Sequence, residues 1–179
     1  MEEYMKLIYS KKYFLFYSVG TLFFLCSFFH FLYQLSNECM LIAMIAPVNE
    51  SIFEHTKMIP VPLIGWWLTM LFIYKEKLNK SRWLTCILLS LIVSITMMVA
   101  SYYLYTGMFG IESLIIDIFI LFIALFTGQW LGFHYYHYNG KAYGRTAITI
   151  MFVILIMFAI LTFFPIEIPF FIDPTLTVL

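Results

Sequence analysis

The residues able to do chemistry in this chain crowd into one run, Pro47-Val48-Asn49-Glu50-Ser51-Ile52-Phe53-Glu54-His55-Thr56-Lys57, wedged between two strongly apolar segments. Asn49 is a natural helix N-cap with Glu50 in the first turn, so the run reads as the start of a helix. On that helix Glu50, Glu54 and Lys57 share one face and Ser51 and His55 lie on the adjoining strip. Ile52, Phe53 and Thr56 cover the other side. Two carboxylates one turn apart repel each other by roughly a few tenths of a kcal/mol in water, and by more where water is excluded. A cation has to offset that repulsion: Lys57, a shared proton or a metal ion.

Two ionisable residues in apolar segments elsewhere, His30 and Asp117, match this run in depth and extend it to His30, Glu50, Glu54, His55 and Asp117. Imidazole and carboxylate together suit zinc, iron or manganese, and two or three protein ligands leave a position open for water. The reading with most chemistry has His30, Glu54 and His55 as metal ligands, while Glu50 or Asp117 takes a proton from bound water. Asn49, Ser51, Lys57, Tyr105 and Asp173 would complete a polar cavity closed by the Asp173-Pro174 tail. The His-Glu-x-x-His spacing of zinc proteases is absent. Two other readings fit the same residues. Glu54 could pair with Lys57 or His55 as a structural lock in a non-catalytic subunit, or the acids could relay protons or cations in a coupled transporter.

The elements that must position these residues are set by composition. Of 179 residues 63% are hydrophobic and 11% charged, with a mean hydropathy of +0.93. A soluble domain carries about 25% charged residues. The chain therefore reads as an all-α, polytopic bundle in a single membrane domain, in contact with the lipid bilayer and without bias toward nucleic acid. Continuous apolar runs exclude a β-barrel, and Cys26, Cys39 and Cys86 form no CxxC or disulfide framework. Phosphate-binding and serine-hydrolase motifs are absent, and the dispersed methionines do not suggest copper transport. A substrate would be a lipid, a peptide or a small solute.

Residues 1–12 read as a short amphipathic lead into a retained signal anchor. Five spans are expected, at about 13–35, 50–74 (kinked near Pro60 and Pro62), 83–105, 111–133 and 147–164. On the first, Cys26, Ser27, His30, Tyr33, Gln34 and Asn37 form a polar stripe toward the bundle. On the third, Ser90, Ser94, Ser101 and Tyr105 share a face suited to close packing or a polar lining. Tyr105-Thr106-Gly107 reads as a helix stop. His134 and His137 fall in an aromatic interfacial loop, and the tail from Pro165 is too rich in proline for a helix.

With five spans, nine of the ten Lys and Arg lie on one side and Lys57 alone on the other. The positive-inside rule then predicts a cytoplasmic N-terminus, an external C-terminus, a cell-membrane location and an outward-facing polar cavity. Seven of the ten acids (Glu38, Glu50, Glu54, Glu112, Asp117, Glu167 and Asp173) share that outer half. Acids weigh little in topology, so their asymmetry points to function.

His30-Phe31-Leu32-Tyr33, the Asn49-Glu50-Ser51-x-x-Glu54-His55-x-Lys57 run, Tyr105-Thr106-Gly107, Asp117 and Phe164-Pro165 through Asp173-Pro174 together resemble a family of small uncharacterised bacterial multi-pass membrane proteins. The resemblance covers most of the chain. It implies an integral membrane protein and carries no activity with it. Where that family has a leucine-rich segment, this chain has Met58-Ile59-Pro60-Val61-Pro62.

Overall fold

Residues 11–138 and 140–173 are described by a computed structural model of the chain. Most of the expected amphipathic lead, and Pro174, lie outside them. Among the described residues the elements are all helices: α1 Lys11–Leu35, α2 Met40–Ala43, α3 Ile52–Lys57, α4 Pro60–Ile73, α5 Lys80–Phe109, α6 Leu114–His137 and α7 Gly144–Phe163. With Ile52–Ile73 taken as one interrupted segment, five are long and apolar enough to cross a membrane. In a bilayer no water meets the backbone, so each spanning segment must pair its polar groups within a helix.

Helix ends fall where capping chemistry sets them, beyond the apolar windows. The third span, expected at 83–105, runs for 30 residues from Lys80 to Phe109. Asn79 Oδ1 accepts Arg82 N at 3.0 Å at one end, and Gly110, in the left-handed region at φ 64°, closes the other. Tyr105-Thr106-Gly107 is therefore the last helical turn and not the stop. The fourth span likewise continues to His137, so His134 and His137 sit on helix and not in a loop.

The largest departure is in the second span. One kinked helix from Glu50 to Tyr74 is expected, but α3 starts at Ile52 and the helix is interrupted at Met58–Ile59. Pro60 and Pro62 carry no N–H, so the carbonyls of Thr56 and Met58 lose their usual donors four residues on. The chain tightens there instead, with Met58 N bonding His55 O and Ile59 N bonding Thr56 O, both at 3.3 Å. Pro60 then starts α4, where a missing N–H costs nothing.

Helix α5 is the central member, packed against α3, α4, α6 and α7, while α1 packs on α4 and α6. Toward the start of α5, Phe14, Trp67, Trp83 and Phe133 from four helices interlock. Phe14 stacks on Phe133 at 4.3 Å between ring centres, and Trp83 Nε1 donates to the Trp67 carbonyl at 2.9 Å. Ser81 Oγ and Thr85 Oγ1 on α5 accept the backbone N–H groups of Gly144 and Tyr143 at 2.9 and 2.8 Å, holding the start of α7. Outward faces are apolar, as at Phe16, Phe24, Phe72 and Ile115.

The serine face expected on α5 does meet a small-residue face on α6. Ser90 and Ser94 are buried against Gly128 and Gly132, the close approach that small residues permit between membrane helices. A Cβ on Gly128 would lie 2.6 Å from the Ser90 carbonyl oxygen and closer still to Ser94 Oγ, so the backbones would have to part. Gly128→Ala is expected to cost about 1–3 kcal/mol, read as a lower melting temperature in detergent. Gly20→Ala, where a Cβ would meet nothing within 4 Å, is the control and should not destabilise. Equal behaviour of the two variants would show that α5 and α6 are not this close.

Candidate metal centre

The run from Pro47 to Lys57 folds into a cap and a short helix that send its two glutamates to different places. Ser51, not Asn49, is the N-cap of α3, its Oγ accepting Glu54 N at 3.3 Å. Asn49 Oδ1 accepts Ser51 N at 2.9 Å, a tight turn that feeds the chain into the cap. The C-terminal segment completes the arrangement: Phe53 N donates to Phe170 O at 3.0 Å and Glu50 N to Asp173 Oδ2 at 3.1 Å. That segment is non-helical, as its prolines predict, and Phe171 lies on the Phe53 ring at 4.5 Å. Glu50 therefore precedes the helix, and the expected shared face of Glu50, Glu54 and Lys57 does not form.

Glu54 turns inward. Lys57 Nζ donates to Glu54 Oε2 at 2.7 Å, to the Ala43 carbonyl at 2.6 Å and to Thr162 Oγ1 at 2.7 Å, using all three of its protons. Glu54 Oε2 also accepts Val48 N at 3.0 Å. Both side chains are almost wholly buried. This knot ties the α2 connector, α3 and α7 together, which is the geometry of a lock. Thr162 carries no sequence signal for it beyond being a hydroxyl in an apolar helix.

Glu50 turns instead toward the imidazoles. His55 Nε2 lies 3.3 Å and His30 Nε2 3.7 Å from Glu50 Oε2, and the two rings stand 5.1 Å apart. One ligand atom from each of the three residues falls within 4.8 Å of the others. Donors around 2.0–2.1 Å from a tetrahedral zinc are themselves about 3.4 Å apart, so the two His–Glu separations are near what a shared ion needs. His55 Nδ1 stands 3.0 Å from the Ser51 carbonyl, which can only accept, so Nδ1 carries the proton. Its Nε2 lone pair then faces a carboxylate oxygen, and two such lone pairs require a proton or a metal ion between them. A backbone carbonyl orienting a ligand histidine through its other nitrogen is a common outer-shell feature of metal sites.

His30, Glu50 and His55 line a cavity of 260 Å³ together with Asp117 and Glu112. Tyr105 Oη donates to Asp117 Oδ1 at 2.7 Å, and Tyr102 Oη to Glu112 Oε1 at 2.9 Å. The structure thus brings His30, Glu50, His55 and Asp117 to one pocket, with Tyr105 behind Asp117 and Asp173 beside Glu50. It leaves out Glu54 and Lys57. Of the expected set His30, Glu54 and His55, the two imidazoles meet here while Glu54 lies in the Lys57 knot; the carboxylate beside them is Glu50, because the helix starts two residues late and leaves Glu50 to point back. The polar stripe on α1 reaches inward through Cys26 and His30, while Gln34 and Asn37 are exposed. Glu112 and Tyr102 are pocket residues that the sequence reading does not single out. The clustering of acids in that half of the chain was a signal for Glu112, and Tyr102 had none.

The hydrogen bond with His55 is the main cause that holds the Glu50 carboxyl below its ordinary value of 4.5, assisted by both imidazole charges and opposed by partial burial and by Asp173. A carboxyl with a lower pKa folded than unfolded contributes stability above its unfolded pKa and loses it as pH falls through the folded value. Chelator-stripped protein should therefore lose melting temperature as pH drops below 4.5, and Glu50→Gln should lose less over that window. Parallel pH profiles for the two proteins would count against the His55–Glu50 contact.

Comparison with curated proteins and with solved structures returns no match. The family of unknown function DUF6512 matches residues 2–177, nearly the whole chain, and the protein belongs to that family.

Proposed function

We propose that this membrane protein holds a divalent transition-metal ion, zinc above all, on His30 Nε2, His55 Nε2 and Glu50, and uses it to hydrolyse an ester or amide of a lipid or peptide. The observation that carries the reading is the meeting of these three donors, from α1, the α3 cap and α3, within 4.8 Å inside a cavity. Two imidazoles and one carboxylate leave a fourth position for water, the ligand pattern of hydrolytic zinc. With a metal held there to activate water, Asp117, steadied by Tyr105, would take the proton as the water oxygen bonds to the carbonyl carbon. The proton then passes to the leaving alcohol or amine as the C–O or C–N bond breaks.

The pocket is built at the end of α5 and the start of α6, while Lys75, Lys77, Lys80, Arg82, Lys141 and Arg145 flank the opposite ends of the same helices. By the positive-inside rule this supports a cytoplasmic N-terminus and a pocket near the outer leaflet.

The test is elemental analysis of untagged protein purified without added metal. About one zinc, iron or manganese per chain is expected. Metal-free protein that also takes up none of the three on titration would sink the reading and leave a proton between His55 and Glu50.

A further inference from the structure

The outward side of α1 has a gap in its row of rings. Phe16, Gly20 and Phe24 lie one helical turn apart, so two phenyl rings, each 74% exposed, flank a position that has no side chain. A Cβ on Gly20 would meet nothing within 4 Å, so the gap is open space and not a seat for a neighbouring helix. Phe122 and Phe126 on α6 wall its other side, and together these residues line a groove of 650 Å³.

Lys12 is the one charged residue in that lining. It is exposed near the start of α1 and pairs with no acid among the described residues. An apolar trough with a single ammonium at one end complements a hydrocarbon chain that carries an anion. Length agrees with that occupant. Lys12 and Phe24 are about 18 Å apart along α1 at ~1.5 Å per residue. One leaflet supplies about 15 Å of hydrocarbon, half of the ~30 Å core. A chain lying over Gly20 therefore brings its headgroup level with Lys12. Phe14 stacks on Phe133, which sets the start of α1 beside the end of α6, with Lys141 and Arg145 next along the chain. The cytoplasmic orientation proposed above would place this basic end in the leaflet that carries anionic lipid.

We infer that the groove is a binding site for one anionic phospholipid, an acyl chain lying over Gly20 between Phe16 and Phe24 and the phosphate resting on the Lys12 ammonium. The site lies toward the opposite end of α1 from His30 and does not depend on the metal reading.

The test is native mass spectrometry of delipidated protein in neutral detergent, titrated with dioleoylphosphatidylglycerol or dioleoylphosphatidylcholine, which share chains and differ in net charge. Wild type should retain one phosphatidylglycerol and bind it about five- to tenfold more tightly than phosphatidylcholine. Lys12→Gln should lose that preference and still bind phosphatidylcholine. Gly20→Phe should weaken both lipids about tenfold or more by filling the trough. Its melting temperature in lipid-free detergent should be no lower than that of wild type, since a Cβ there meets no other group. Equal affinity for the two lipids, or a preference that survives Lys12→Gln, overturns the phosphate contact, and undiminished binding to Gly20→Phe overturns the groove. Binding of neither lipid overturns the inference outright. Wild-type dimers that Gly20→Phe dissociates would overturn it too and give the groove to a second copy of the chain.

Discussion

Lys57→Met is expected to destabilise the protein by about 3–5 kcal/mol, the usual cost of stripping one partner from a buried ion pair. Lys57 is 2% exposed and Glu54 is 2% exposed, so neither can turn to water once the other is gone. After the substitution the Glu54 carboxylate keeps Val48 N and the Thr162 hydroxyl as donors and loses its only charged partner in the knot. Thermal unfolding in detergent reads the loss. Glu54→Leu combined with Lys57→Met should recover most of it, because removing both charges removes the desolvation penalty as well. A single variant that melts like wild type would show that the knot is not formed.

Loss of any one of the proposed metal donors is the second large effect expected. Removing an outer-shell partner alone weakens metal sites by about 10–100-fold, so His30→Ala, His55→Ala and Glu50→Gln should each weaken zinc affinity by more than that. Glu50 is half exposed, and its removal should leave the fold intact. Glu54→Gln should do the reverse, lowering the melting temperature and keeping the metal. Competition titration with a chromogenic chelator, run beside thermal unfolding, separates the two glutamates. Zinc affinity lost at Glu54 and retained at Glu50 would exchange their roles.

The helices were legible because a bilayer leaves few alternatives: each expected span contains most of the observed helical residues, and the departures lie at helix ends and at the Met58–Ile59 break. Ends depend on single capping groups such as Asn79 and Gly110, which a hydropathy window averages away. The Pro47–Lys57 run was legible as the polar centre because so many ionisable side chains among apolar neighbours must find partners. What could not be read was which partner each found. Asn49 and Ser51 are both good N-caps, and choosing between them rotates Glu50 from the helix face into the pocket. The choice is made by Asp173 and Phe170, more than a hundred residues away in sequence. His30 could be assigned to the inner face of α1 from its spacing, but not to the side of the bundle where His55 lies. Glu112, in a turn between helices, has no periodicity to locate it at all.

The knot around Lys57 also has a consequence for biosynthesis. Its ammonium waits for Thr162, 105 residues further along the chain, and Glu50 N waits for Asp173, 123 residues on. When α3 leaves the ribosome neither acceptor exists, so the Lys57–Glu54 pair has only Ala43 and Val48 as its other partners in the knot until α7 is made. The proposed metal donors are thus made well before the contact that fixes Glu50. A chain released before Asp173 would carry every proposed metal ligand and lack the acceptor of Glu50 N. Assembly of the proposed site would then follow synthesis of α7 and Asp173, and ribosome-stalled chains should acquire metal only once they extend past that residue.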